Sequence, residues 1–371
     1  MSRIAVFTSI TPNKMNDGGV PSGLIWEIIN KYKENNIVVD VIIKPESNNR
    51  ILRVLHRYGI YLDRNINFDD YDYLIVYPEN LIMSLSPKTK SKVIVLGPDS
   101  PSLRDSRIYK YMKPCLLRFL KCLYKYISYI HEYRLVKQAY KVVVVGRTDQ
   151  LWMQRNPFIC KCAKLKSKIK FLRHPMLTNV ISKKIAYSVD EERIFVFSGD
   201  LSYIHNCKFL ESVIDVLEFR LNDCNFCELN ILVIGKNNRW IYERLNSINN
   251  CHVRFCNWVE NYNDVCIPGK HIHCMPLLVG AGSKNRTITA LANGLEVITT
   301  PVGIENIPWQ GLSGCYITVN PEKFVEYMLM LQDKQYDKQN IEDFIAERIQ
   351  FRKRVNALFD RDFKKIFDIS E

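Results

Sequence analysis

Short apolar runs rich in β-branched residues recur along the chain, and they are continuous rather than alternating. In the first half they are Ile4–Ile10, Ile37–Ile43, Tyr73–Tyr77, Val93–Gly97 and Val142–Gly146. In the second half they are Ile194–Ser198, Asn230–Gly235, His252–Cys256, Ile272–Pro276, Val297–Thr300 and Tyr316–Val319. A strand that is apolar on both sides belongs to a parallel sheet covered by helices on both faces. Amphipathic stretches fill the intervals, so the fold class is α/β. At 371 residues the chain is long for one core. Two strand series then predict two Rossmann-like domains. The polar stretch Thr178–Glu192 is the natural join, with domains over 1–180 and 190–340. Residues 341–371 carry Phe344, Phe351, Val355, Leu358, Phe359, Phe363 and Ile366 at helical spacing, which predicts a long amphipathic helix. No short-period repeat appears.

Composition narrows the partners. With 47% hydrophobic and 25% charged residues the chain is globular rather than disordered. Lys and Arg number 52 against 39 Asp and Glu, a net charge of +13 that favours an anionic partner. The N-terminal MSRIAVFTSITPN does not read as a signal peptide, and no run of about 18 uncharged apolar residues exists to span a membrane. A cytosolic protein with reduced thiols is expected from the 12 cysteines. The pairs Cys224/Cys227 and Cys251/Cys256 fit no common zinc spacing well, and burial explains cysteines equally.

The most informative stretch is GAGSKNRTITALANGLEVITT, residues 280–300. Ile272–Pro276 reads as a strand, Thr287–Asn293 as a helix closed by Gly294 at C′, and Val297–Thr300 as the next strand. The glycine turn thus lies at a strand's carboxyl end and a helix's N-terminus, where open α/β sheets bind ligands. Unpaired amides and the helix dipole favour an anion there. Gly280 and Gly282 permit close backbone approach, while Lys284 and Arg286 add charge. The turn suits a diphosphate; alone, it is equally a plain connection with two solvated cations.

The block PLLVGAGSKNRTITALANGLEVITTPVGIENI resembles the second-domain signature of GT-B glycosyltransferases of the group 1 type (glycosyltransferase family 4), P-x-x-x-G-x-G-x-K-x-K-hydrophobic-x-E-A-M-A-x-G-x-P-V-V-x-T-x-x-G. FVFSGDLSYIHN, IHEYRLVKQAYKVVVVGRTDQ and the glycine loop in ITPNKMNDGGVPSGLIWEI resemble other segments of that family. The resemblance implies GT-B architecture: two Rossmann-like domains across a cleft, the last helix crossing back to the first domain, and a nucleotide-sugar donor held mainly by the second. It also implies that Gly18 and Gly19 close over the donor diphosphate. The family's paired acids fall on Ala281 and Thr289, its first-strand Arg and Lys on Asp200 and His205, and its proline on Glu296. The donor phosphates then depend on Lys284, Arg286 and backbone amides.

Other residues sit at the same kind of edge. Arg173 is placed for a phosphate contact, and His174 is either a packed hinge residue or a base. Asp99, in Gly97-Pro-Asp99, is either a turn residue or a recipient of an acceptor hydroxyl's proton. Glu305 can bind sugar hydroxyls. Along Pro114–Tyr133, Leu116, Leu120, Leu123, Ile127 and Ile130 share one side, with Arg118, Lys121 and Lys125 opposite. This stretch is either a solvated basic face over a buried apolar one or a membrane- and acceptor-binding helix.

Together these features predict a cytoplasmic, peripheral-membrane glycosyltransferase. By resemblance it moves a hexose from a nucleotide diphosphate sugar to a lipid-linked glycan with retention, needing neither metal nor cofactor. The abundance of Lys, Ile, Asn and Tyr points to bacterial envelope polysaccharide synthesis. An inactive GT-B scaffold, a sugar-nucleotide epimerase and, on charge alone, a nucleic-acid-binding protein are the alternatives.

Overall fold

The computed structural model describes residues 3–12, 21–43, 68–112, 116–175, 192–199, 201–202, 204–223, 228–259, 262–335 and 337–367. The chain divides into two compact units. One comprises Met1–Lys14, Val20–Pro175 and Leu358–Glu371; the other comprises Met15–Gly19 and Met176–Ala357.

The first unit runs β1 (Arg3–Thr8), α1 (Pro21–Glu34), β2 (Val38–Ile43), β3 (Tyr73–Tyr77), α2 (Pro87–Lys90), β4 (Val93–Leu96), α3 (Pro101–Tyr111), α4 (Leu116–Gln138), β5 (Lys141–Val144), α5 (Arg147–Gln154), α6 (Ala163–Lys168) and β6 (Ile169–Phe171). Its strands form one parallel sheet in the order β2-β1-β3-β4-β5-β6. Strand β4 shows why the apolar runs are continuous. Val93 and Val95 pack with Val142, Leu135 and Val136 in one cluster, while Ile94 and Leu96 pack with Val143, Ile25 and Ile28 in another.

The second unit runs β7 (Ile194–Ser198), α7 (Ile204–Asp223), β8 (Leu229–Ile234), α8 (Arg239–Leu245), β9 (Cys251–Cys256), β10 (His271–Met275), α9 (Asn285–Ala292), β11 (Glu296–Thr299), β12 (Cys315–Ile317), α10 (Pro321–Asp333) and α11 (Lys338–Ile366). The sheet is again parallel, ordered β12-β11-β10-β7-β8-β9, so the winding direction reverses between β7 and β10. Phe195 and Phe197 of β7 face one core, Ile194 and Val196 the other. Helix α11 supplies Phe351 and Val355 to this unit's core. Its last turns count with the first unit, where Phe363 meets Tyr32 edge-on with ring centroids 5.2 Å apart and Asp360 pairs with Lys31 at 3.1 Å.

Two features of the first unit depart from the sequence expectation. Its last strand, Ile169–Phe171, is not among those the sequence predicts, and Arg173 and His174 lie in the segment beyond it. Along α4, Arg118, Lys121 and Lys125 are half-buried while Leu120, Leu123, Ile127 and Ile130 are exposed. The two sides are separated as the spacing predicts, but the apolar one is not the buried one. The side chain of Leu116 lies outside the described residues.

Buried histidines make the second unit acid-sensitive. On β10, His273 is fully buried, and its Nε2–H donates to the Val265 carbonyl at 2.9 Å. Nδ1 of His271 accepts the Ile267 amide at 3.2 Å. Burial pushes His271 down to about 3, helped by the neighbouring positive groups, and pushes His273 down to about 4. Both stay neutral in the fold, whereas in the unfolded chain they take up protons below about pH 6.5. Their contribution to stability is therefore complete above pH 6.5 and lost as pH falls toward 4, at about 1.4 kcal/mol per pH unit for each histidine. Urea unfolding between pH 7 and pH 4.5 will show midpoints falling on acidification, with a shallower slope for His273→Gln. Equal slopes would sink this account.

Candidate functional site

The glycine turn 277–284 joins β10 to α9 at the strand-order reversal between β7 and β10, a crevice that such sheets use for ligands. It is tied down on several sides. Asn206, on α7 and almost fully buried, accepts the amides of Leu278 at 2.9 Å and Val279 at 3.1 Å. Thr300 donates its hydroxyl to the Leu277 carbonyl. Asn306 donates its side-chain amide to the Gly282 carbonyl at 3.1 Å. Lys284 folds back, its ammonium donating to the carbonyls of Ala281 at 2.7 Å and Gly282 at 2.9 Å. Gly282 sits at φ +68°, where a side chain would be strained. At Gly280, a β-carbon would come within 3.0 Å of Lys284 Cε.

Lys284 is also the N-cap of α9 and supplies no capping hydrogen bond, so helix dipole and ammonium share one end. The stem of Arg286 passes over Gly199, just beyond β7; Cγ lies 3.9 Å from where a glycine β-carbon would stand. Asn238, fully buried, braces that turn by donating to Gly199 O and Ile234 O, both at 2.7 Å, and accepting the Leu201 amide at 3.2 Å. Thr289 is buried on α9 with its hydroxyl donated to Asn285 O at 3.0 Å. Glu305 follows β11, half-buried, two residues beyond Gly303, whose carbonyl accepts Thr287 Oγ1 at 2.7 Å. Gly280, Ala281, Gly282, Lys284, Arg286 and Glu305 thus share the carboxyl edge of β7, β10 and β11. The arrangement can hold an anionic group against a fixed turn, a helix N-terminus and two cations.

In the first unit, Asp99 is exposed between β4 and α3, and its charge is among those that raise the Tyr77 hydroxyl, after burial, to about 12. The segment behind it is rigid. Ser100 caps α3 at the Leu103 amide, 3.2 Å, and gives its own amide to buried Asp149 at 2.9 Å. Buried Glu132 accepts Ser100 Oγ at 2.7 Å, Ser102 Oγ at 2.7 Å and the Ser102 amide at 3.1 Å, and takes Asn156 Nδ2 on its other oxygen at 3.0 Å. His174 is buried, with Nδ1–H donated to the Pro175 carbonyl at 2.7 Å, and burial lowers its pKa. Arg173 lies over the Phe171 ring at 5.4 Å, its pKa lowered chiefly by burial. Gly18, Gly19, Asp200, Cys224 and Cys227 lie outside the described residues. Cys251 and Cys256 are the two ends of β9.

Residues 192–334 match the family model described as "Glycosyl transferases group 1". That match runs from β7 to α10, the greater part of the second unit. Solved structures similar to the whole chain show that it has the GT-B fold. Sucrose-phosphate synthase from Thermosynechococcus elongatus is 11% identical with a TM-score of 0.61, covering 100% of this chain and 98% of that one. HepE from Anabaena, in complex with UDP and glucose, is 9% identical with a TM-score of 0.58, covering 100% of both chains. A trehalose-6-phosphate protein from E. coli, bound with UDP-2-fluoro glucose, is 10% identical with a TM-score of 0.56, again covering 100% of both. No curated protein matches the chain in sequence.

Sequence reasoning missed the residues that shape these turns rather than line them. Asn206 and Asn238 each bond backbone distant in sequence, and only their placement on α7 and just before α8 reveals it. Glu132 lay inside a segment quoted for its resemblance, yet its role as acceptor for two serines 30 and 32 residues away needed the fold.

Proposed function

We propose that the chain transfers a hexose from a nucleotide diphosphate sugar to a glycan acceptor, with the donor diphosphate seated on the turn 280–286. The observation that carries this is the turn itself: glycines, two cations and the N-terminus of α9 converge where β7 and β10 part. When the glycosidic bond to the donor breaks, negative charge grows on the leaving diphosphate. Lys284, Arg286 and the α9 dipole lie where that charge develops, and a fixed turn stabilises it without reorganising. Transfer on this plan needs no divalent ion and proceeds with retention, the acceptor's proton passing to the donor phosphate. An exposed Asp99 and a buried, neutral His174 are the first domain's candidates for steering the acceptor.

The acceptor is a lipid-linked glycan of bacterial envelope polysaccharide synthesis, reached from the inner face of the membrane. The basic stretch containing Arg118, Lys121 and Lys125 supports this part, and among the described residues no helix is long and apolar enough to cross a membrane.

Calorimetric titration with a panel of nucleoside mono- and diphosphates and their sugars tests the reading. Saturable binding of a diphosphate, and turnover of its sugar in the presence of EDTA, are expected. A panel without binding would leave only the scaffold. Activity abolished by EDTA and restored by magnesium or manganese would overturn metal independence.

A further inference from the structure

Helix α4 turns its face over along its length. From Leu135 onward it is conventional: Leu135, Val136 and Ala139 just beyond its end enter the core, while Arg134 and Lys137 point out. In its first half the pattern inverts. Leu123 is 46% exposed, Tyr124 56% and Ile127 60%, with Leu120, Tyr126 and Ile130 also exposed. Residues 120, 123, 124, 127 and 130 follow i, i+3, i+4, i+7 spacing, so they form one stripe. The inward side is occupied by other means. The Arg118 guanidinium lies 4.6 Å over Tyr109, Lys125 lies 5.6 Å over the buried Tyr129 ring, and Ser128 donates to Asp105 at 2.7 Å. The stripe is exposed because polar and aromatic partners hold the opposite side.

Charge says what covers it. Residues 104–141 contain ten Lys and Arg but only Asp105 and Glu132 as acids. Both acids are buried and hydrogen-bonded by serines. Within this window no surface acid offsets the exposed Arg104, Lys110, Arg134 and Lys137. A second copy of the chain would bring the same positive field and a net charge of +13 against its like. Nucleic acid would use the cations but offers nothing to exposed leucine and isoleucine. A leaflet containing anionic lipid offers hydrocarbon to the stripe and phosphate to its rim, with tyrosines suited to the level between.

We infer that the exposed stripe Leu120–Leu123–Tyr124–Ile127–Ile130 of α4 seats the protein on an anionic lipid bilayer, entering the interface while the surrounding Lys and Arg meet the headgroups. This deepens the proposed use of a lipid-linked acceptor and rests on that reading for its purpose. It shifts the anchoring role from the cations of α4 to the apolar residues opposite them.

The test floats the full chain with vesicles of phosphatidylglycerol and phosphatidylcholine in equal parts, and with phosphatidylcholine alone. The parent should bind the anionic vesicles and largely ignore the neutral ones. Leu123→Ser with Ile127→Ser replaces two side chains that make little core contact, so folding should be kept, as circular dichroism will show. That variant should bind the anionic vesicles about 100-fold more weakly, the scale of two large apolar side chains entering hydrocarbon. Equal binding by parent and variant, equal binding of neutral and anionic vesicles, or no vesicle binding by the parent would each overturn the inference. So would a parent dimer, seen by sedimentation, that the double substitution splits. Titration of both proteins with the nucleotide panel separates the two readings. Nucleotide binding without vesicle binding sinks only this inference, and vesicle binding without nucleotide binding sinks only the transferase reading.

Discussion

Replacing both Lys284 and Arg286 with alanine will remove measurable binding of a nucleoside diphosphate and, with it, turnover of the sugar donor. Each cation lost from a charge-assisted contact costs about 2–4 kcal/mol, roughly 30- to 1,000-fold per residue. The two act on one diphosphate, so their effects will not simply add. Their routes differ. Lys284 also holds the carbonyls of Ala281 and Gly282, so its loss loosens the turn as well as removing charge. The stem of Arg286 lies against Gly199, so its alanine variant removes charge while the two Lys284 hydrogen bonds remain. Affinity for the diphosphate should fall far more than affinity for the nucleoside alone, since only the phosphates meet these cations. Calorimetry on the two single variants and the double variant decides the matter. Single variants that both retain the parent's affinity and turnover would place the donor elsewhere.

The parts of this site that were legible in the sequence are those whose chemistry is local. Glycines at 280 and 282, cations at 284 and 286, and Gly294 at φ +77° closing α9 all declare themselves within a few residues. The strands were legible because burial on both faces leaves them uniformly apolar, as Val93–Leu96 shows. Strand β6 has only three residues, Ile-Lys-Phe, too few for a period to emerge, so it is missing from the strands that the sequence predicts. Which face of α4 is buried is not legible, for a different reason. Helical spacing separates two faces but does not say which faces inward, and here Tyr109, Tyr129 and Asp105 make a cationic and polar side the packed one. Asn206 and Asn238 looked like ordinary polar residues. Their meaning lies in the backbone groups that the fold brings to them from 72 and 37 residues away.

A single methyl at Gly303 should collapse the same site from behind. Its β-carbon would overlap the Thr299 hydroxyl and stand 3.0 Å from the Met275 carbonyl, at the end of β10. Neither neighbour is free to yield: Thr299 is fully buried, and its hydroxyl already donates to that carbonyl at 3.0 Å. The loop itself must therefore move, and it carries three attachments. Gly303 N–H donates to Thr300 Oγ1 at 3.0 Å, and its carbonyl accepts Thr287 Oγ1 from α9 at 2.7 Å. Three residues on, Asn306 secures the glycine turn through Gly282. Overpacking plus two or three strained or broken buried hydrogen bonds costs about 3–5 kcal/mol. Gly303→Ala will lower the urea midpoint of the second domain accordingly and weaken diphosphate binding, although residue 303 offers the ligand no charge. Adding Thr299→Ala removes the hydroxyl that the methyl strikes. The double variant should regain more than 1 kcal/mol relative to the sum of the singles, the signature of two sites sharing one space. Additive losses, or a Gly303→Ala protein unfolding at the parent's midpoint, would show that the 301–306 loop is not wedged against β10 and α9 as described.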